Sequence, residues 1–263
     1  NPGETLTIGL PEGVTWAYLA LSGGIAIDPV LGSRATHLRS GLGGVEGRAL
    51  RAGDTLPLGQ DLPDAPCLRP ASRLSGAHPF AESGPIRLIL GPQDSSFAPD
   101  VIARLTEGTF TITAQRDRMG MVLGGTTLPA ASGHDIVSDG TVPGSVQVPG
   151  SGMPLVLLAE SQTTGGYPKI ATVASVDLAR LAQQPVGAEI RFAVIAAQQG
   201  EDLWIDRQSR LRRILSALVP KAEGVLRSDY LLSCDLVGGI FDPDEVTRPV
   251  MPAMTRIPTE QPG

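Results

Sequence analysis

Between residues 139 and 169 the chain collects side chains suited to holding a carbonyl oxygen. Gln147 and Gln162 each carry an amide that both donates and accepts. That suits the adjoining C=O and N–H of a lactam, a urea or a cyclic ureido group, and equally a buried hydrogen bond to backbone. Lys169 offers an ammonium that polarises a carbonyl or binds an anion; its other reading is an exposed strand-edge lysine snorkelling to solvent. Tyr167 is placed to donate to an oxyanion or to pack its ring. Thr164 adds a hydroxyl and Asp139 a carboxylate for polar contacts to a substrate. Upstream, Arg118 in RDRMG (116–120) presents a planar guanidinium to a carboxylate or carbonyl, or else pairs at the surface with Asp117 or Asp139. Arg118, Lys169 and Tyr167 are the candidate catalytic groups, expected in one cleft; Gln147, Gln162, Thr164 and Asp139 are the candidate substrate-binding groups.

Other chemistries fit less well. GLGGVEG (41–47) has Glu46 where a dinucleotide fingerprint needs glycine, and no Walker-type GKS or GKT occurs. His37, His78 and His134 stand in unrelated glycine-rich contexts with no metal spacing, so no metal site is expected. Ser22 and Ser151 sit outside any G-x-S-x-G elbow and read as turn serines. Cys67 and Cys234 have no paired spacing, which favours a reducing cytoplasm. A net charge of −6 argues against a nucleic-acid surface, and no apolar run approaches the ~20 residues that span a bilayer.

The elements that must position these groups are short. With 32 Gly and 23 Pro against 18% charged residues, the composition favours many short strands joined by turns. PLVLLA (154–159) and KIATVA (169–174) read as buried strands flanking the QTTGGYP loop, whose paired glycines and Pro168 give either a plain hairpin turn or a stiff binding loop. Further strands are predicted at 4–9, 15–21, 86–90, 109–113, 135–138, 145–148 and 190–196, with loops and short strands over 22–80. Helices are predicted at 98–107 with Ser95 or Ser96 near the cap, at 175–183 capped by Ser175, and at about 200–219. In the last, Trp204, Gln208, Leu211, Leu215 and Leu218 form a stripe expected to pack. RQSRLRR (207–213) on the same helix reads as a solvated face. Five prolines in the 22 residues from Asp242 favour an extended or disordered tail. From pattern alone the chain is mainly β, a closed barrel with a few peripheral helices.

Several blocks together resemble the family that holds the C subunit of 5-oxoprolinase and allophanate hydrolase subunit 2, also called biotin-dependent carboxyltransferase. They are residues 18–59, IRLILGPQDSSF (86–97), TITAQRDRMGMVLGG (111–125), SDGTVPGSVQVPGSGMPLVLLAE (138–160) and TTGGYP (163–168), in the family's order over roughly residues 4–195. The resemblance implies a cyclophilin-like barrel. It divides the chain into an N-terminal β-rich part (1–80), a barrel part (81–241) and the proline-rich tail (242–263). Val122 stands where the family usually has arginine, and several dozen residues that normally precede Asn1 are expected to be missing, through truncation, processing or supply in pieces.

Three functions follow from the resemblance. The leading one is a subunit of a cytoplasmic ATP-dependent 5-oxoprolinase that opens 5-oxoproline to glutamate. Its implied partners are a homologous B-type subunit (allophanate hydrolase subunit 1-like) and a LamB/YcsF-type A subunit, with ATP used at the level of the complex. The second is a carboxyltransferase domain moving CO2 from biotin to urea or a related amide. The third is a non-enzymatic Kip-type (KipA-like) regulator that binds its paired subunit.

Overall fold

The computed structural model describes residues 5–60, 68–70, 83–131 and 133–220. Cys67, His78, Cys234 and the proline-rich tail lie outside the described residues. In chain order the elements are β1 (Leu68–Pro70), β2 (Ile86–Leu90), a 3-10 turn (Asp94–Ser96), α1 (Pro99–Glu107), β3 (Phe110–Arg116), β4 (Gly120–Gly125), β5 (Asp139–Gly140), β6 (Ser145–Gln147) and β7 (Leu155–Leu157). They continue with β8 (Thr164–Gly165), β9 (Lys169–Val173), α2 (Ser175–Ala182), β10 (Glu189–Ile190), β11 (Phe192–Val194), α3 (Ala197–Ser216) and β12 (Leu218–Pro220).

Eight strands form one sheet in the order β10-β3-β4-β7-β6-β9-β2-β11. Its two edges are consecutive in the chain. β10 pairs antiparallel with β3 and β11 pairs parallel with β2, so one residue, Arg191, carries the chain from one edge to the other. The single strand expected at 190–196 is therefore two, and its break sets the sheet's two edge strands next to each other in the chain. The mainly-β, barrel-like architecture expected from the sequence is the one formed.

The interior is filled by alternate strand residues. Leu88, Phe110, Ile112, Met121, Leu123, Val146, Val156, Ile170 and Ala171 are at most 1% exposed. Phe110 and Phe192 meet with ring centroids 5.0 Å apart and planes tilted by 55°, packing the two closing strands together. α1 begins at Pro99, where the missing N–H costs nothing, and turns Val101 and Leu105 onto this core. Ala98, not a serine, occupies its N-cap, and Ala174 occupies that of α2, so Ser175 is the first helical residue instead of the cap.

Several other expected features fail. No strand forms within 5–21, and Thr15 and Trp16 are held by a side chain instead. Gln183 Oε1 accepts from the Thr15 and Trp16 amides at 3.0 and 2.8 Å, and its Nε2 donates to Trp16 O at 3.0 Å. Residues 135–138 also form no strand; pairing begins one residue later, at Asp139. α3 forms, but none of its residues is buried, and Trp204 and Leu215 are exposed. The described residues thus leave its apolar stripe uncovered. β1 and β12 pair with each other apart from the barrel sheet.

Candidate functional site

A local irregularity in the sheet creates the site. β6 and β9 pair Val146 with Ala171 and then Gln147 with Lys169, a bulge that skips Ile170 and sets the amide opposite the lysine. Both side chains are enclosed, Gln147 at 0% and Lys169 at 1% exposure. Lys169 is thus no exposed strand-edge lysine. Its ammonium donates to Asp139 Oδ2 at 2.6 Å, and Asp139 itself is half-exposed.

Asp139 belongs to a small ribbon laid against the barrel, in which β5 pairs antiparallel with β8, Asp139 opposite Gly165 and Gly140 opposite Thr164. Ile136 N–H donates to Gly166 O at 2.8 Å, Thr141 N–H to Thr163 O at 2.9 Å, and Thr141 Oγ1 to Gln162 O. The TTGGYP loop is therefore one edge of a ribbon, not a plain hairpin between its flanking strands. Its glycines serve a purpose other than the expected unusual backbone angles, since neither Gly165 nor Gly166 has a positive φ. A Cβ at Gly165 would stand 2.2 Å from Gln147 Nε2, so the amide occupies the space a side chain would need.

Gln93, which no sequence signal singles out, completes the cluster. It follows β2 in the Gly91–Pro92–Gln93 turn, where Gly91 takes φ 96°. Its backbone N–H donates to Lys169 O at 3.0 Å, its Oε1 accepts from Lys169 N–H at 3.1 Å, and its Nε2 donates to Asp139 Oδ2 at 2.9 Å. The hydrogen bonds from Lys169, Gln93 and the Gly140 amide hold the Asp139 carboxyl down to about 2. The carboxyl is consequently ionised throughout the neutral range.

Gln162 Nε2 donates to Gln147 Oε1 over a long 3.4 Å. Gln147 Nε2 has no partner among the described residues. A buried amide donor without an acceptor costs about 1–3 kcal/mol, a cost that an incoming oxygen removes. Thr164 is exposed on β8; Tyr167 is 40% exposed, and its hydroxyl makes no hydrogen bond among the described residues.

Arg118 belongs to a different cluster. It sits in the β3–β4 turn, where Asp117 Oδ1 accepts from Met119 N–H and Gly120 N–H at 2.8 and 3.1 Å. Its guanidinium pairs with Glu160 at 2.6 Å and donates to Thr36 O at 3.3 Å. The turn lies level with Leu157, while Lys169 lies level with Leu155 across Gln147. Two strands, β7 and β6, separate β4 from β9. Among the described residues no hydrogen bond or ion pair joins Arg118 to Lys169, Asp139 or Tyr167, so the expected common cleft gains no contact. Val122 lies mid-strand, and its carbonyl accepts from Thr113 Oγ1 at 2.7 Å.

A cavity of about 590 Å³ is lined by Ile86, Arg180, Glu189 and Arg191 near the barrel seam, and one of about 380 Å³ by Leu19, Gly23, Ile25 and Arg34. Neither includes any residue of the Lys169 cluster, whose Lys169 and Gln147 are enclosed. The described residues hold no group of three or more His, Cys, Asp or Glu suited to a metal. No described helix is long and apolar enough to cross a membrane. Ser151 Oγ accepts from Met153 N–H at 3.3 Å within its turn.

Residues 1–194 match the carboxyltransferase domain, subdomain A and B, and the chain belongs to that family. It is 35% identical over 206 residues to the C subunit of 5-oxoprolinase from Escherichia coli, an alignment covering 78% of this chain and 64% of that protein. It is also 35% identical over 201 residues to the C subunit of 5-oxoprolinase from Haemophilus influenzae, covering 76% and 63%. The fold is shared with urea carboxylase of Kluyveromyces lactis at a TM-score of 0.60 and 22% identity, over 79% of this chain and 20% of that one. The chain thus spans under two thirds of the length of its 5-oxoprolinase relatives.

Proposed function

We propose that this chain is the barrel-bearing part of the C-type subunit of a cytoplasmic, ATP-dependent 5-oxoprolinase. The observation that carries the reading is the enclosed Lys169, paired with Asp139, and a Gln147 amide opposite it that lacks an acceptor. Gln147 and Lys169 are register partners on β6 and β9, so an oxygen that accepts from Gln147 Nε2 and reaches the Lys169 ammonium has its developing negative charge met by a donor and a cation. The lactam oxygen of 5-oxoproline is such an atom: it gains charge as the ring opens to glutamate. The 35% identity to the matching subunit of two bacterial 5-oxoprolinases supports this substrate class over other carbonyl compounds.

ATP does not fit this site. The chain has no phosphate-binding glycine loop with its Lys and Ser or Thr. Phosphorylation of the lactam is therefore assigned to the assembled complex, with the homologous B-type subunit and the LamB/YcsF-type A subunit as partners. Membership of the carboxyltransferase family keeps a second reading in view. In it the same donors hold the ureido oxygen of biotin or the oxygen of urea during CO2 transfer.

The test is reconstitution. The purified chain alone should show neither 5-oxoproline-dependent ATP hydrolysis nor biotin-dependent carboxylation of urea. Added to the two partner subunits, it should restore glutamate formation. Turnover by the isolated chain contradicts the multi-subunit reading, and carboxylation without glutamate formation replaces it with the second.

A further inference from the structure

Lys169 and Gln147 are 1% and 0% exposed, yet the reading above requires both to touch substrate. Something above them must move. What covers Gln147 is Gly165, which packs so near that any side chain there would strike the amide, and Gly165 is paired with Asp139 in the two-residue strands β5 and β8. That ribbon is lightly built. Asp139, Gly140 and Thr164 are exposed, and among the described residues its polar ties to the barrel are the Asp139 carboxylate and the long Gln162–Gln147 contact.

We propose that Gln93 is a positioning residue which latches the β5–β8 ribbon shut by pinning the Asp139 carboxylate across Lys169. Three contacts make it suited to the task. Its backbone and Oε1 grip Lys169's own peptide groups, so the side chain is fixed relative to the lysine, and its Nε2 then reaches Asp139 Oδ2 at 2.9 Å. Asp139 therefore receives two donors on one oxygen, Lys169 Nζ at 2.6 Å and Gln93 Nε2, while its other oxygen takes Gly140 N–H at 2.8 Å. A ligand carboxylate or carbonyl oxygen that takes Lys169 and Gln147 Nε2 replaces Asp139 on the lysine, and the freed ribbon lifts with Gly165. The ligand class is thus an oxyanion or a strongly polarised carbonyl, because a neutral apolar group offers Lys169 nothing in exchange. This latch rests on the function proposed above, but its test uses neither substrate nor partner subunits.

The chain's two lysines, Lys169 and Lys221, make the test direct. Trace acetylation of the full chain with acetic anhydride, read by peptide mass spectrometry, gives the Lys169 rate with Lys221 as internal reference. Asp139→Ala and Gln93→Met should each raise the Lys169 rate about tenfold or more, as loss of a charge-assisted hydrogen bond from the closed state implies. Because Gln93 acts through Asp139, the double variant should label no faster than Asp139→Ala alone. A Gln93→Met chain labelling at the native rate overturns the proposal, as does a double variant whose rate is the product of the two single effects. Asp139 is half-exposed, so Asp139→Ala should fold even where a Gln93 variant does not, and native labelling in that chain also overturns the latch. Failure here leaves the reconstitution result standing, and failure of reconstitution leaves the labelling result standing.

Discussion

Two charges buried in the barrel, Asp177 and Lys169, are treated differently by their surroundings. Asp177, 1% exposed in the first turn of α2, is matched on every side. Arg87 donates to it from Nε at 2.8 Å, from Nη2 at 2.5 Å and from its backbone N–H at 2.8 Å, and Arg180 adds Nη2 at 3.2 Å. Arg180 also donates to Gly84 O and Pro85 O at 2.7 Å each, so helix, strand and loop are fastened by one network. Burial pushes the Asp177 carboxyl up; the Arg87 hydrogen bonds and the charges of Arg180 and Arg87 outweigh that and leave it below its ordinary value. Lys169, equally buried, has one half-exposed carboxylate on a two-residue strand and an unpartnered amide beside it. A carboxylate saturated with donors specifies the fold; an unsaturated cluster on a lightly held ribbon keeps capacity for a ligand.

The largest effect on stability is expected at the saturated site. Asp177→Ala leaves two arginines facing a vacated buried position, and urea denaturation should show a loss of about 3–5 kcal/mol. At the other site the outcome depends on the replacement. Lys169→Ala removes a fully enclosed aliphatic stem and should cost about 2 kcal/mol or more, whereas Lys169→Met keeps the stem and should be near neutral. Equal losses for Met and Ala would mean that Lys169 is a structural charge like Asp177, and the contrast would disappear.

Acid should separate the Lys169 pair from an ordinary carboxylate contact. Asp139 titrates lower in the folded chain than when unfolded, so its contribution is fully present above its unfolded value, near 4, and is lost as pH falls through about 2. Carboxyl-carbon NMR should show Asp139 still ionised at pH 3; titration near 4 would place its carboxylate in solvent, away from Lys169 and Gln93. The smallest effect is expected at Arg118→Lys. The exposed pair with Glu160 survives as a charge contact while the reach to Thr36 O is lost, for less than about 1 kcal/mol.

What sequence reveals of these sites follows from range. Alternating apolar residues place β2 at Ile86–Leu90 without error and β3, β6 and β9 within a few residues, because burial on one face writes a local pattern. Gln147, Gln162, Asp139 and Lys169 stand out by residue type, and they do meet. The division of 189–194 at Arg191 leaves no local mark, since each half is paired by a strand some 80 to 100 residues away in the chain. Gln93 escapes a reading of the sequence for the same reason: its partners are Lys169 and Asp139, distant along the chain. Gly91–Pro92 before it signals a turn but not what the turn holds. Segment 5–21 misleads, because its apolar spacing suits a strand while Leu10 and Tyr18 lie more than 90% exposed.

The most direct test of the central claim, that the unsaturated Lys169 cluster does the chemistry, is kcat for 5-oxoproline-dependent glutamate formation by the reconstituted complex carrying Lys169→Met. Loss of a single donor to a developing oxyanion predicts a fall of about 10²–10³, with the melting temperature of the variant chain close to native. A native kcat in a complex that contains the Met variant would contradict the account.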